Sequence, residues 1–132
     1  MAGPLRRVIF DSDILINYLK GREKLQGIVA LAIRNRYGTT TAINWFEVLS
    51  GVRNDAERGH ALAVLEALDF LPLSREAAVT AGTIDSDLMS RGIRIAPGDT
   101  LIAAIAIVNG LPLLTRNRRH FERVPGLELE EV

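Results

Sequence analysis

The strand-like runs of this chain are short, and helix-patterned stretches lie between them. Arg7 leads into the apolar run Val8-Ile9-Phe10. The β-branched Thr39-Thr40-Thr41, then Phe70-Leu71-Pro72-Leu73 and Leu111-Pro112-Leu113-Leu114-Thr115, come at intervals long enough to hold helices. Alternation of this kind builds βαβ units, in which each helix returns the chain to begin the next strand in the same direction. The expected fold is therefore a three-layer α/β/α domain with a mostly parallel sheet of four or five short strands. With 132 residues the chain is expected to form one domain, 1–132, around a single core.

The helices can be read from their periodicity and their ends. Ser12 and Asp13 open a helix through Ile14 to Leu19, which Gly21 stops. A second helix runs from Glu23 to Arg36, with Leu25, Ile28, Val29, Leu31 and Ala32 at helical spacing. The third runs from about Ala42 to Val52. Asp55 is expected to cap the fourth, whose apolar face is Ala61, Leu62, Val64, Leu65 and Leu68. Pro72 marks an edge strand, since proline is tolerated there and not centrally. Ser74 suits the N-cap of a fifth helix reaching Ser90. Pro97-Gly98-Asp99-Thr100 leads into the nearly all-apolar helix Leu101 to Val108, which Gly110 ends. Leu127-Glu128-Leu129-Glu130 alternates in period two and reads as the final edge strand.

Composition excludes several classes. There is no cysteine, so disulfides and thiolate metal sites are out, which fits a reducing cytoplasm. Only three apolar residues follow Met1 to Arg7, too few for a signal-peptide core. Leu101 to Val108 falls well short of the roughly 20 residues that span a bilayer. A soluble cytoplasmic protein with no membrane partner is expected. The formal net charge is zero, so the chain as a whole does not advertise nucleic acid. Lys20 and Lys24 are its only lysines, and the other fourteen basic residues are arginine. Arginine suits phosphate, although a bias in base composition explains the excess equally well.

Two acids stand at informative places. Asp11 ends the first strand, and Asp99 stands at the start of the apolar helix. In an open parallel sheet, strand carboxyl ends and the starts of the following helices share one crevice. Two carboxylates meeting there beside a core repel each other and resist ionising unless a cation joins them. That points to a divalent metal site. Each acid also has a purely structural reading as a helix-terminal residue. Glu47, on the third helix with Asn44, Ser50 and Gly51 as its neighbours on one face, reads either as solvated or as lining a cleft.

Taken together these segments resemble the PIN-domain nucleases, and more closely the VapC-type toxins of toxin–antitoxin pairs. The resemblance rests on Val8-Ile9-Phe10-Asp11-Ser12-Asp13-Ile14-Leu15-Ile16, on Glu47-Val48-Leu49-Ser50-Gly51, and on Asp99-Thr100-Leu101-Ile102-Ala103-Ala104. Gly110-Leu111-Pro112-Leu113-Leu114-Thr115-Arg116-Asn117 and Phe121 complete it. It implies metal-dependent cleavage of RNA, with Asp11, Glu47 and Asp99 as the acidic catalytic and metal-binding residues. It also implies a cognate antitoxin and a homodimer. A fourth position, acidic in many relatives, is Asn117 here, and His120 stands where many have aspartate before the phenylalanine.

Carboxylate oxygens suit magnesium or manganese, and no histidine or cysteine cluster argues for zinc. Such an ion would polarise the scissile phosphate and activate water, with Glu47 orienting or deprotonating that water; two ions about 4 Å apart would act on both the attacking and the leaving oxygens. Auxiliary candidates are Asn117, Thr115, expected to hold an acidic side chain by hydrogen bond, and Asp13, expected to bind outer-shell water. Arg116, Arg118 and Arg119 form the one tight basic cluster and are candidates for RNA phosphate contact. Two other readings are open to the sequence. A catalytically weak PIN-like domain that only binds RNA or a partner draws on Asn117 and His120. Phe10-Asp11-Ser12-Asp13 also resembles the opening of haloacid-dehalogenase-like phosphatases, but those need a later lysine and none follows Lys24.

Overall fold

The computed structural model describes residues 6–130; Met1 to Leu5, which entered the signal-peptide reading, lie outside them. In chain order the elements are β1 Val8–Phe10, α1 Ser12–Leu19, α2 Glu23–Asn35, β2 Gly38–Thr41, α3 Ala42–Ser50, α4 Asp55–Glu66, β3 Asp69–Leu71, α5 Arg75–Ser90, α6 Pro97–Asn109, β4 Leu113–Leu114, α7 Arg118–Phe121 and β5 Leu129–Glu130. All four strand pairings are parallel, in the order β3-β2-β1-β4-β5. Five short strands with helices on both faces match the expected three-layer architecture. The strands for which edge positions were expected, β3 and β5, are the two edges.

The period of two along β1 divides the core. Val8 and Phe10 pack on one face with Ile14, Leu15, Leu25, Val29, Val64 and Leu65 from α1, α2 and α4. Ile9 faces the other way, onto Ile84 and Leu88 of α5, Ile102 to Ala104 of α6, and Phe121. Leu114 and Leu113 repeat the division on β4. Helix α6 packs against α5 within this second core and is apolar nearly all round; Ile102 to Ala106 are wholly buried. Gly38 permits the close approach of β2 to the first face. A Cβ there would sit 2.6 Å from Leu68 Cδ2 and 2.9 Å from Phe10 Cε2.

Several helix ends differ from expectation. Asn54, not Asp55, caps α4, its side chain accepting from Glu57 N. Helix α6 begins at Pro97 with Ala96 as N-cap, so neither Asp99 nor Thr100 is the cap. Proline at the first helical position has no N–H to leave unsatisfied and carries a helix-ready φ. That places Asp99 inside the first turn. Ser74 does cap α5, and Gly110 ends α6 in a left-handed conformation, φ 63°. The one-turn helix α7 has no periodic signature of its own in the sequence.

Candidate active site

The chain runs from β1 outward to β2 and β3, then crosses back to place β4 on the other side of β1. The order therefore reverses between β1 and β4. Open parallel sheets form their ligand crevice at the carboxyl end of such a reversal. Asp11 leaves β1 there, with its N–H bonded to Leu114 O at 2.9 Å. Thr115 leaves β4 beside it and donates from Oγ1 to Asp11 Oδ2 at 2.7 Å, as expected of it. The same hydroxyl oxygen accepts from Asn117 N at 2.9 Å.

Asp11 is 4% exposed and also caps α1, with Oδ1 accepting from Ser12 N at 2.8 Å. The structural and functional readings of this residue are thus compatible. Burial pushes its carboxyl up to about 7. The negative charges of Asp13 and Asp99 push it the same way, against the pull of the Thr115 hydroxyl and the Ser12 N–H. Asp13 lies within hydrogen-bonding reach of Asp11 and is itself raised, first by burial. Its Oδ2 accepts from Arg116 N at 3.2 Å, whereas its Oδ1 is buried without a partner.

Glu47 comes from α3, which β2 delivers to the same edge. Ser12 Oγ donates to Glu47 Oε1 at 2.6 Å. Glu47 Oε2 rests over Gly98, at 2.5 Å from where a Cβ would stand. The carboxylate is therefore held between the residue after Asp11 and the residue before Asp99. Its helix face is divided: Asn44 is fully buried, while Ser50 and Gly51 are exposed. Asp99 is largely buried, and its Oδ2 lies 3.2 Å from Nδ1 of the half-exposed His120. Asp11, Glu47 and Asp99 thus lie at the same edge of the sheet. Among the described residues, however, no three acidic or histidine side chains close around one point tightly enough to hold an ion directly.

The remaining candidates are spread more loosely. Asn117 is exposed at the start of α7. Arg116 and Arg119 are exposed on either side of it, while Arg118 turns inward and donates to Glu130 O at 3.3 Å, tying α7 to β5. That gives Arg118 a structural task that the linear cluster did not reveal. Sequence reasoning passed over Ser12, the buried Asn44, Gly98 and the His120–Asp99 contact. Each stands beside a residue already singled out, and only chain folding shows that they touch it.

A PIN-domain family model matches residues 8–127. The chain is 34% identical to Ribonuclease VapC1 of Rickettsia felis, over 95% of this chain and 96% of that one. It is 33% identical to the tRNA(fMet)-specific endonuclease VapC of Shigella flexneri, over 95% and 97%. Among solved structures, a chain of the DNA-bound VapBC complex of Salmonella typhimurium superposes with a TM-score of 0.80 at 27% identity, covering 96% of this chain and 98% of that one. No helix among the described residues is long and apolar enough to cross a membrane. With the fold, the converging acids and these likenesses together, the chain belongs to the PIN-domain family, among its VapC ribonucleases.

Proposed function

We propose that this protein is the ribonuclease toxin of a toxin–antitoxin pair, cutting RNA at the β1–β4 crevice with the help of magnesium or manganese. The observation that carries this is the convergence of Asp11, Glu47 and Asp99 at the point where strand order reverses. Two further features support a hard cation. Ionisation of Asp11 is made harder by burial and by neighbouring negative charge, and Asp13 Oδ1 is a buried oxygen without a partner. Both are relieved by a positive charge. Asp11, Glu47 and Asp99 are the residues that would hold it, with Asp13 beside Asp11. Magnesium commonly keeps several waters and takes only one or two carboxylates directly, so the absence of a tight three-residue cage among the described residues fits.

When bound, such an ion supplies positive charge to the scissile phosphate and acidity to a water molecule. The chain's own residues do the rest. Glu47 accepts the proton of the attacking water at the carboxylate that Ser12 holds in place. Thr115 and Ser12 N–H keep both Asp11 oxygens oriented. Arg116 and Arg119 lie on the exposed rim, where they meet the phosphates of incoming RNA. Asn117 offers a carbonyl oxygen there without adding charge.

The partner is an antitoxin, as the VapBC complexes among the structural neighbours suggest. A cleft of about 320 Å³ between α1, α3 and α4 is suited to its apolar segment. Ile16, Leu19, Val48 and Val52 line it, and Lys20, Arg53, Glu57 and His60 supply the polar contacts. Most of the apolar supply of α1 and α4 is core, since Ile14, Leu15, Val64 and Leu65 are buried, while Ile16 and Leu19 line the cleft. The reading is tested by incubating the purified protein with a generic single-stranded RNA, with manganese and then with chelator. Cleavage that needs the metal and is lost in Asp99→Asn supports it; metal-independent cleavage, or none in the wild type under any metal, overturns it.

A further inference from the structure

Glu47 is held by a chain of hydrogen bonds whose direction is set by the backbone. Thr41 N donates to Asn44 Oδ1 at 2.8 Å, and Thr41 Oγ1 donates to the same oxygen at 3.0 Å while accepting from Asn44 N at 3.2 Å. A backbone N–H can only donate, so the Asn44 amide cannot be turned round. Its Nδ2 must therefore point the other way, where it donates to Ser12 Oγ at 2.9 Å. That bond occupies a lone pair of the serine oxygen, and the serine hydrogen is left to face Glu47 Oε1 at 2.6 Å. Thr41 and Asn44 are fully buried and Ser12 is nearly so, so water does not compete. The series runs from the end of β2, through α3, to the residue that follows Asp11.

We propose that Ser12 and Asn44 are positioning residues for Glu47: the buried amide fixes the serine hydroxyl as a donor, and that donor fixes one carboxylate oxygen so that the other lies over Gly98, beside Asp99. The inference rests on the reading of Glu47 as a residue of the nuclease site. A glutamate has three rotatable bonds, and on an isolated helix it would sample many orientations. The hydroxyl at one oxygen and the space over Gly98 at the other select one. Serine without its hydrogen so directed, or asparagine replaced by an acceptor, would release the side chain without removing it.

The test compares wild type with Ser12→Ala, Ser12→Thr, Asn44→Asp, Glu47→Gln, the double variant Ser12→Ala/Glu47→Gln, and Asp99→Asn as the control on the site itself. Single-turnover cleavage of single-stranded RNA is measured with manganese, and manganese affinity is read separately from the paramagnetic resonance of the free ion. Loss of one charge-assisted hydrogen bond corresponds to a fall in kcat of roughly ten- to hundredfold, with KM little changed, in Ser12→Ala. Asn44→Asp should fall likewise, because its carboxylate takes the serine hydrogen for itself. Ser12→Thr, which keeps a hydroxyl, should recover most of the rate. In the Glu47→Gln background Ser12→Ala should change neither rate nor manganese affinity further, since residues that act through one another are not additive. A folded Ser12→Ala protein that cleaves at the wild-type rate while Asp99→Asn is inactive overturns the inference and leaves the site reading intact. An undiminished Ser12→Ala effect in the Glu47→Gln background also overturns it. Asp99→Asn cleaving as fast as wild type overturns the site reading and this inference with it. Should Ser12→Ala fail to fold, Asn44→Asp, judged on the same two measurements, decides.

Discussion

Asp11 serves two masters at residue scale: it caps α1 and it is a buried carboxyl beside two others. Asn at this position retains an acceptor for Ser12 N–H and a cap of similar strength, and it removes the repulsion with Asp13 and Asp99. Asp11→Asn should therefore abolish metal-dependent cleavage while melting, in metal-free buffer, at or above the wild-type temperature; calorimetry beside a cleavage assay checks both. The pH dependence follows from the same residue. Its folded value, about 7, lies above its ordinary value of 3.8. Its share of stability is therefore whole below about pH 4, where both states are protonated, and is lost as pH rises through about 7. In chelator the wild type should lose on the order of a few kcal/mol more stability than Asp11→Asn between pH 5 and pH 8, read as a steeper fall in melting temperature. Magnesium at pH 8 should restore most of the difference. Identical profiles for the two proteins would show that the carboxyl ionises freely.

At the scale of elements, the amino end of α6 does more than begin a helix. Gly98 lies inside the first turn, where alanine is at least as good a helix former. A Cβ there would nevertheless fall 2.5 Å from Glu47 Oε2. The obstacle is the tip of a flexible side chain, so the fold tolerates it and the glutamate moves. Gly98→Ala should keep or slightly raise the melting temperature and cut cleavage by about tenfold or more, the range for a misplaced catalytic group. Gly38→Ala has the opposite character. Its Cβ meets Leu68 and Phe10 inside the core, so it should lose stability by about 1–3 kcal/mol in denaturant titration. Such contrasts could not be read along the chain. The two glycines look alike in sequence, and only the packing around each decides whether an added methyl disturbs the core or the site.

For the whole molecule, the arrangement separates two tasks. The crevice between β1 and β4 gathers the acids, and the cleft between α1, α3 and α4 is lined by other residues of α1 and α3 together with α4. Ser12 and Glu47 stand on α1 and α3, the same helices that line part of the cleft. Val52 lines the cleft and has no part in the acidic site. Val52→Asp should weaken antitoxin binding by tenfold or more, the range for a charge placed in an apolar contact, and leave RNA cleavage at the wild-type rate. Titration calorimetry and the cleavage assay separate the two. Expressed alone, the wild type should slow growth relative to Asp99→Asn, and co-expression of a cognate antitoxin should relieve it. Equal growth of the two strains would count against the toxin assignment and leave the fold standing.

Sequence alone determined the alternation of strand and helix, the parallel sheet, both edge strands, the helix start at Ser74 and the helix stop at Gly110. These depend on periodicity, proline and glycine, which are properties of neighbours along the chain. It also marked Asp11, Glu47 and Asp99, because their flanking residues carry the family pattern. Tertiary structure decided what those residues touch. Ser12 and Glu47 are 35 positions apart, Asp11 and Thr115 are 104 apart, and Asp99 and His120 are 21 apart. No local rule joins such pairs, since each bond exists only because parallel strands bring their carboxyl ends to one edge. The direction of the Asn44–Ser12–Glu47 series is likewise a property of burial: with water excluded, a single backbone N–H is enough to orient every hydrogen that follows.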